Sequence, residues 1–259
     1  MKAVILAAGK GSRLKLGKKP KFAFSIPFLL LGRLSSSISE DEFLIENLFK
    51  NLNKKFEALF VLGFKFMSVT PILSYLSQKY GVKIDYVVNP IFNETNTAYS
   101  LWLALKSLVN EDNNYLDHVL IFNGDNYLSK EAWEKVKEGI ENNKSFIVID
   151  VYKKLDEESF KIKIENNKIT AMGKDLAINE STGEYIGVAF IKKEHLKILL
   201  EILEDLIQKN KKSYYDLAFI ELSKKINLEY VFLNGEKWTE IDFKEDLEKL
   251  KEILKEEKN

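Results

Sequence analysis

Short apolar segments alternate with longer amphipathic segments through the first 151 residues, and this alternation restricts the fold more than any other feature. The strand-like segments are residues 2–6, 58–62, 83–88, 118–122 and 146–151, and helical patterns separate them at residues 43–52, 71–80, 97–108 and 130–141. Such an alternation predicts an α/β fold with a Rossmann-like, doubly wound and mostly parallel sheet. Ligands of such sheets bind at the carboxyl ends of the strands, so the residues that follow each strand are the first functional candidates.

The pattern changes after residue 151. Short strands are predicted at residues 160–165, 168–172 and 185–191, helices at 193–208 and 214–225, a strand at 229–233 and a last helix at 244–255. We interpret this half as a substrate-binding extension of the same sheet, so residues 1–259 are predicted to form one domain. Residues 35–41 are the most linker-like stretch, and we interpret them as a mobile loop.

Composition excludes several classes of site. Lysine plus arginine equals aspartate plus glutamate, 39 each, so no global basic field indicates nucleic acid as a partner. The absence of cysteine and the presence of only two histidines exclude thiolate and histidine-rich metal sites, which leaves the oxygen ligands that suit magnesium. The apolar run at residues 3–8 is too short for a signal sequence, and no segment has the roughly 18 apolar residues of a membrane span. We expect a cytoplasmic protein without a membrane partner.

A glycine turn follows the first strand in the string LAAGKGSRL, residues 6–14. Gly9 and Gly11 allow backbone N–H groups to approach a polyphosphate closely. The dinucleotide-binding fingerprint requires a third glycine where Leu14 stands, and the Walker pattern is also absent. The turn is followed by cationic side chains, among them Arg13 and Lys21. A basic surface turn is the alternative interpretation.

Two acidic motifs lie further along the chain. The strand-like segment at residues 119–123 leads to Asp125, which the sheet places at the ligand crevice, where it can hold magnesium. The alternative is a turn or helix-capping aspartate. The string WTEID, residues 238–242, puts Glu240 and Asp242 on one face at strand spacing. Asp242 beside Asp125 would complete a magnesium site of two carboxylates. A helix start, with Asp242 as the N-cap and Glu245 as its capping-box partner, is the alternative.

These motifs together, with the Lys-Pro-Lys triplet at residues 19–21, resemble those of the sugar-phosphate and alcohol-phosphate nucleotidyltransferases. The phosphocholine and inositol-phosphate cytidylyltransferases are the most similar subgroups. The resemblance spans nearly the whole chain and is weakest from residue 26 to residue 56. It implies the nucleotide-diphospho-sugar transferase type of fold, with residues 1–150 as the nucleotide-binding half and residues 151–259 as the acceptor-binding half with the C-terminal helix.

The resemblance also implies the partners and the roles of individual residues. The partners are a nucleoside triphosphate and a phosphorylated small acceptor, Mg²⁺ is the cofactor, and a homo-oligomer is left open. Asp125 and Asp242 are the metal ligands, and Arg13 and Lys21 are the catalytic cations. The nucleotide-binding set is Leu6, Ala7, Ala8, Gly9, Lys10, Gly11, Ser12, Arg13, Asn89, Asn96, Ser100 and Gly124. The acceptor-binding set is Lys174, Glu184, Tyr185, Tyr215 and Trp238.

The aromatic residues bear on which acceptor is used. A quaternary ammonium such as choline needs an aromatic box and a carboxylate, and the aromatic candidates are Tyr127, Tyr185, Tyr214, Tyr215 and Trp238. Asp216, which follows two of them, matches a feature of the phosphocholine subgroup. A hydroxyl-rich acceptor would instead use Asn179, Glu180 and Glu184. Core packing is the alternative role for each aromatic ring, and a solvated surface position is the alternative for Lys174.

We therefore predict the transfer of CMP from CTP to a phosphorylated alcohol such as phosphocholine, with release of pyrophosphate. A sugar-1-phosphate or inositol-phosphate nucleotidyltransferase that uses CTP, UTP or dTTP is the alternative within the class, and the Gly-Lys-Asp-Leu run at residues 173–176 favours the inositol-phosphate enzymes. A non-catalytic nucleotide-binding sensor is the alternative of another class, and the joint presence of both metal aspartates argues against it. The missing third glycine disfavours a dinucleotide-dependent dehydrogenase.

Overall fold

The computed structural model describes residues 1–11, 44–52, 55–112, 114–115 and 117–257, and strands alternate with helices along them. The strands are β1 (Lys2–Ala7), β2 (Glu57–Leu62), β3 (Lys83–Val88), β4 (Val119–Asn123), β5 (Asn126–Leu128), β6 (Phe146–Asp150), β7 (Lys161–Glu165), β8 (Lys168–Gly173), β9 (Gly183–Ile191), β10 (Glu229–Leu233) and β11 (Trp238–Glu240). The helices are α1 (Glu46–Asn51), α2 (Phe66–Tyr80), α3 (Thr97–Ser107), α4 (Lys130–Glu141), α5 (Lys193–Lys209), α6 (Ala218–Lys225) and α7 (Lys244–Glu256). Short 3-10 helices span Ile178–Glu180 and Tyr215–Leu217.

One large sheet contains strands from both halves of the chain. Its order is β10-β6-β9-β4-β1-β2-β3, and β7 and β8 extend it from β9. The pairs β1–β2, β1–β4, β2–β3 and β6–β10 are parallel, whereas β9 runs antiparallel to β4 and β6. The predicted α/β fold with a Rossmann-like, mostly parallel mixed sheet is confirmed.

The sheet separates two apolar clusters that hold the helices against its faces. Along β1, Ala3, Ile5 and Ala7 belong to one cluster and Val4 and Leu6 to the other, as the alternation of side chains in a strand requires. Helices α1, α2 and α4 pack on the first face, and α3, α5 and α6 pack on the second. Within the described ranges, no helix is both long and apolar enough to cross a membrane.

Two elements differ from the sequence prediction for local physical reasons. Helix α2 begins at Phe66 and carries Pro71 inside it, whereas the pattern predicted a start at the proline. Pro71 has no N–H for the carbonyl of Met67, and the hydroxyl of Thr70 donates to that carbonyl instead, at 3.3 Å. The predicted helix at residues 214–225 begins as a 3-10 turn and becomes α-helical at Ala218.

A second, two-stranded sheet was not predicted from the sequence. Strands β5 and β11 are three residues each and pair antiparallel, with Leu128 opposite Trp238 and Asn126 opposite Glu240. Strands of this length are too short to show a period-two pattern. Their pairing joins the segment after β4 to the segment before α7, which are far apart in the sequence.

Gly183 provides a test of the packing between β6 and β9. A Cβ atom at this position would overlap the backbone carbonyl oxygen of Asp150, which cannot move aside as a flexible side chain would. We expect Gly183→Ala to lower the free energy of unfolding by about 1–3 kcal/mol, measured by urea denaturation. Gly9→Ala is the control, because a Cβ at Gly9 meets no described atom within 4 Å. Equal unfolding midpoints for the two variants would contradict this packing.

Candidate active site

A first cavity of about 200 Å³ opens where β1, β3 and β4 end. It is lined by Leu6, Ala8, Gly9, Asn89, Phe92, Thr95, Asn96, Thr97, Ser100, Asn123, Asp125 and Glu240. Six residues of the predicted nucleotide-binding set are among them, and Asp125 lies with them. The carboxyl ends of the parallel strands therefore meet at one place, as the fold class requires.

A buried amide fixes the wall of this first cavity. The side chain of Asn89 donates to the hydroxyls of Thr95 and Ser100, both at 3.1 Å, and its oxygen accepts the N–H of Ile91 at 3.1 Å. Asn96 caps α3, because its side-chain oxygen accepts the N–H of Thr97 at 2.8 Å. These bonds hold the segment between β3 and α3 in one conformation.

Other members of the predicted nucleotide-binding set lie around the cavity. Gly124 donates its N–H to the carbonyl of Leu6 at 3.0 Å, and a Cβ on it would lie 3.1 Å from the Cβ of Ala7, so a small residue is needed where β4 ends beside β1. Lys10 is exposed, with its ammonium 5.8 Å from the centroid of the Phe92 ring. Gly11 has φ 61°, a conformation that favours glycine. Ser12, Arg13 and Lys21 lie outside the described residues.

Three carboxylates meet at the edge of the first cavity. Asp125, Glu240 and Asp242 each offer an oxygen atom, and these three atoms lie within 4.8 Å of one another. The pairing of β5 with β11 produces this arrangement, because it places Glu240 opposite Asn126 and directs the N–H of Ile241 to the carbonyl of Asp125 at 3.1 Å. Glu240 adds a third oxygen donor to the two aspartates predicted as ligands.

The donor set of this cluster fits a hard divalent cation. All three donors are carboxylate oxygens, the ligand type that magnesium prefers, and their mutual repulsion favours a cation between them. The alternative role of Asp242 as a helix N-cap with Glu245 is wrong. The N-cap residue of α7 is instead Phe243, and Asp246 in the first turn accepts the N–H groups of Asp242 and Phe243 with its Oδ2 at 3.0 and 2.7 Å.

A second cavity of about 410 Å³ adjoins the first. All five residues of the predicted acceptor-binding set line it: Lys174, Glu184, Tyr185, Tyr215 and Trp238. Thr97, Asn123 and Glu240 line both cavities, whereas Asp242 lines the second. The carboxylate cluster therefore lies at the junction of the two cavities.

Tyr185 and Tyr215, whose rings are in edge-to-face contact, form the inner wall of the second cavity. The hydroxyls of Tyr185 and Tyr215 are hydrogen-bonded at 2.8 Å, and the hydroxyl of Tyr215 also donates to Asn123 Oδ1 at 3.1 Å. Burial raises the pKa of both phenols well above the usual value, so both stay neutral. Tyr214 also lines this cavity, whereas Tyr127 donates its hydroxyl to Glu257 at 2.9 Å, near the end of α7.

A buried acid, Asp216, follows the tyrosines. It lines the second cavity, and burial raises its pKa to about 7, although a hydrogen bond from Tyr215 acts in the opposite direction. This carboxyl group can therefore change its charge near neutral pH. Asn179 and Glu180, the polar residues considered for a hydroxyl-rich acceptor, lie instead on the exposed 3-10 turn, where Glu180 is 3.8 Å from Lys163.

Lys153 is a residue of the second cavity that the sequence did not reveal. Its ammonium lies 2.6 Å from the carboxylate of Glu184 and 5.1 Å from the centroid of the Trp238 ring. Lys174, the lysine predicted to bind the acceptor, is half-exposed and pairs with Glu158 at 2.8 Å. Lys153 stands in a lysine pair after β6, and no motif or spacing distinguishes it from the other lysines of the chain.

The chain is similar to known cytidylyltransferases over almost its whole length. It is 25% identical over 273 residues to the choline-phosphate cytidylyltransferase of Streptococcus pneumoniae, which covers 99% of this chain and 100% of that protein. It is 27% identical over 257 residues to the bifunctional IPC transferase and DIPP synthase of Aquifex aeolicus, which covers 97% of this chain and 51% of that protein. The chain thus spans about half of this second relative.

Solved structures extend the comparison to the fold. The structure of CTP:phosphocholine cytidylyltransferase from Streptococcus pneumoniae aligns with a TM-score of 0.69 at 23% identity, over 98% of each chain. The predicted nucleotidyltransferase type of fold is therefore confirmed.

A family model described as "Domain of unknown function (DUF6564)" matches residues 36–254. The named relatives confirm the predicted resemblance and indicate a nucleotidyltransferase enzyme. Because this match spans most of the chain, the chain belongs to the DUF6564 family.

Proposed function

We propose that this enzyme transfers CMP from CTP to a phosphorylated amino-alcohol, with phosphocholine as the acceptor, and releases pyrophosphate. The observation that carries the proposal is the carboxylate cluster at the junction of two cavities. Asp125 lines the first cavity, Asp242 lines the second, and Glu240 lines both. Two substrates bound in these cavities would meet at the cluster, where the new bond has to form.

In the proposed reaction, the first cavity holds the nucleoside triphosphate and the second cavity holds the acceptor. A phosphate oxygen of the acceptor attacks the α-phosphorus of the triphosphate, the bond to the β-phosphate oxygen breaks, and pyrophosphate leaves on the opposite side. Asp125, Glu240 and Asp242 would hold magnesium, and the metal would supply positive charge against the phosphates. Arg13 and Lys21 are proposed to neutralise charge on the departing pyrophosphate.

The first cavity is proposed to hold the nucleotide. Gly9 and Ala8 offer backbone close to the end of β1, and Asn89, Asn96 and Ser100 form the opposite wall. The hydrogen bonds of Asn89 keep this wall rigid, which lowers the entropy lost when a base is bound against it.

The second cavity supports a cationic acceptor. A quaternary ammonium cannot donate hydrogen bonds, so aromatic faces and carboxylates are the groups that recognise it. The cavity combines Tyr185, Tyr215 and Trp238 with the carboxyl groups of Glu184 and Asp216. The similarity to a choline-phosphate cytidylyltransferase over the whole chain supports the same choice.

An inositol phosphate or sugar-1-phosphate is the second candidate acceptor. The Gly-Lys-Asp-Leu run at residues 173–176 and the similarity to an IPC transferase favour it. Pyrophosphate release from CTP, UTP and dTTP with phosphocholine, inositol phosphate and glucose-1-phosphate in the presence of magnesium tests both candidates. Preference for an uncharged alcohol phosphate would overturn the amino-alcohol proposal. If none of these acceptors supported pyrophosphate release, the transferase proposal would be overturned.

The metal role of the carboxylates can be tested by neutral, isosteric changes. Asp125→Asn and Asp242→Asn each remove a negative ligand with little change of shape, so we expect turnover to fall by roughly a hundredfold or more while the far-UV circular dichroism is unchanged. Asp205→Asn, at an exposed position on α5, is the control. If a folded variant turns over within a few-fold of the parent, its aspartate is not a metal ligand.

The aromatic recognition of the acceptor can be tested at Trp238. A desolvated cation over an aromatic face is worth about 2 kcal/mol, so Trp238→Leu is expected to raise the KM for phosphocholine roughly thirtyfold. The KM for an uncharged alcohol phosphate is expected to change much less. Trp102→Leu on α3 controls for loss of an indole elsewhere. An equal rise for charged and uncharged acceptors would mean that Trp238 acts through packing alone.

The ionisation of Asp216 predicts a pH dependence for cation binding. Its pKa of about 7 lies above that of an ordinary aspartate, so the group is neutral below pH 7 and negative above it. We expect the KM for phosphocholine to fall as the pH rises from 6 to 8, and Asp216→Asn to remove this part of the dependence. The acceptor phosphate also titrates, but equally with both proteins. If the KM for phosphocholine had the same pH profile in the parent and in Asp216→Asn, the charge of Asp216 would not contribute to acceptor binding.

A further inference from the structure

We propose that Lys153 is a built-in competitor for the cation-binding position of the acceptor cavity, and that it sets the choice between cationic and uncharged acceptors. The inference rests on the proposed function of this cavity. The ammonium of Lys153 lies 2.6 Å from Glu184 and 5.1 Å from the centroid of the Trp238 ring. An aromatic face and a carboxylate are the two groups that a quaternary ammonium would require.

The burial of Glu184 explains why a cation is needed there. Its side chain is only 9% exposed, so its charge is largely removed from water and requires a counter-ion. Lys153 supplies the counter-ion when the acceptor is absent. Its own side chain is 32% exposed, so the long stem can move into solvent without breaking a packed core.

The aromatic face beneath Lys153 is fixed in place. The indole N–H of Trp238 donates to Asp150 Oδ2 at 2.6 Å. The other oxygen of Asp150 accepts the backbone N–H groups of Tyr152 and Lys153 at 2.8 and 3.0 Å. One carboxylate therefore holds both the ring and the backbone that carries the lysine, which leaves the lysine side chain as the movable part.

A cationic acceptor has to displace this lysine. Two cations cannot share Glu184 and the Trp238 face, because like charges at that separation repel. A third cavity, of about 240 Å³, is lined by Lys153 and Trp238 together with Glu252 and Glu256, and its carboxylates can receive the displaced ammonium. An uncharged acceptor leaves Lys153 in place and gains a hydrogen-bond donor for its hydroxyl groups.

Lys153→Met tests the competition, since methionine keeps an unbranched side chain without the charge. We expect kcat/KM for phosphocholine relative to that for inositol phosphate to rise about tenfold. Lys153→Arg keeps the charge and is expected to keep the parental ratio. Lys154→Met, at the exposed neighbouring position, is the matched control. A ratio that is unchanged or lowered in Lys153→Met would overturn the proposal.

Calorimetric titration of the nucleotide-free protein with choline separates this inference from the proposed function. Lys153→Met is expected to bind choline about tenfold more tightly than the parent and than Lys154→Met. This result would support the competitor role even if no variant transferred a nucleotide, in which case the transferase proposal alone would fail. If Lys153→Met bound choline no more tightly than the parent, the inference would be overturned. This conclusion would hold even if the enzyme transferred CMP.

Discussion

The site depends on the backbone pairing of two three-residue strands, β5 and β11. This pairing, with the bond from the Ile241 N–H to the carbonyl of Asp125, holds Asp125 beside Glu240 and Asp242 although they are more than a hundred residues apart in the sequence. Three carboxylates this close repel one another, so a flexible chain would separate them. The strand pairing and the hydrogen bonds that Asp246 accepts from the N–H groups of Asp242 and Phe243 prevent this, and a divalent cation would relieve the remaining repulsion.

The sequence predicted what depends on local periodicity and on strand ends. The order of strands and helices followed from apolar spacing. Asp125 was identified because it follows a strand, and Asp242 because it shares a face with Glu240 in a string that resembles a metal motif of the cytidylyltransferases. The small sheet of β5 and β11 was not predictable, since three residues carry no period. Because this pairing was not predicted, Glu240 was recognised only as a neighbour of Asp242 on one face and not as a third metal ligand. Lys153 carries no signal at all, because its role comes from packing against distant residues.

Three acidic side chains, Glu184 and Asp216 in the second cavity and Asp150 in the third cavity beside it, are stabilised by three different means. Asp150 is stabilised by hydrogen bonds from the indole of Trp238 and from two backbone N–H groups. Glu184 is paired with Lys153. Burial raises the pKa of Asp216 to about 7, so this group can avoid its charge by protonation. When no ligand is bound, Lys153 therefore balances the charge of Glu184, and protonation removes part of the charge of Asp216 near pH 7. Under the proposed function, an arriving cation would take the place of Lys153 beside Glu184.

This arrangement places groups that suit two kinds of acceptor in one cavity. The aromatic ring of Trp238 and the carboxylate of Glu184 suit a quaternary ammonium, whereas Lys153 and Lys174 suit phosphate and hydroxyl groups. These two sets of groups are not independent, because Lys153 occupies the position that the ammonium would take. Under the proposed function, the acceptor preference would follow from a single equilibrium, the free energy of moving the Lys153 side chain off Glu184. A change of that side chain alone would then alter the acceptor without any change to the carboxylate cluster that is proposed to serve the chemical step.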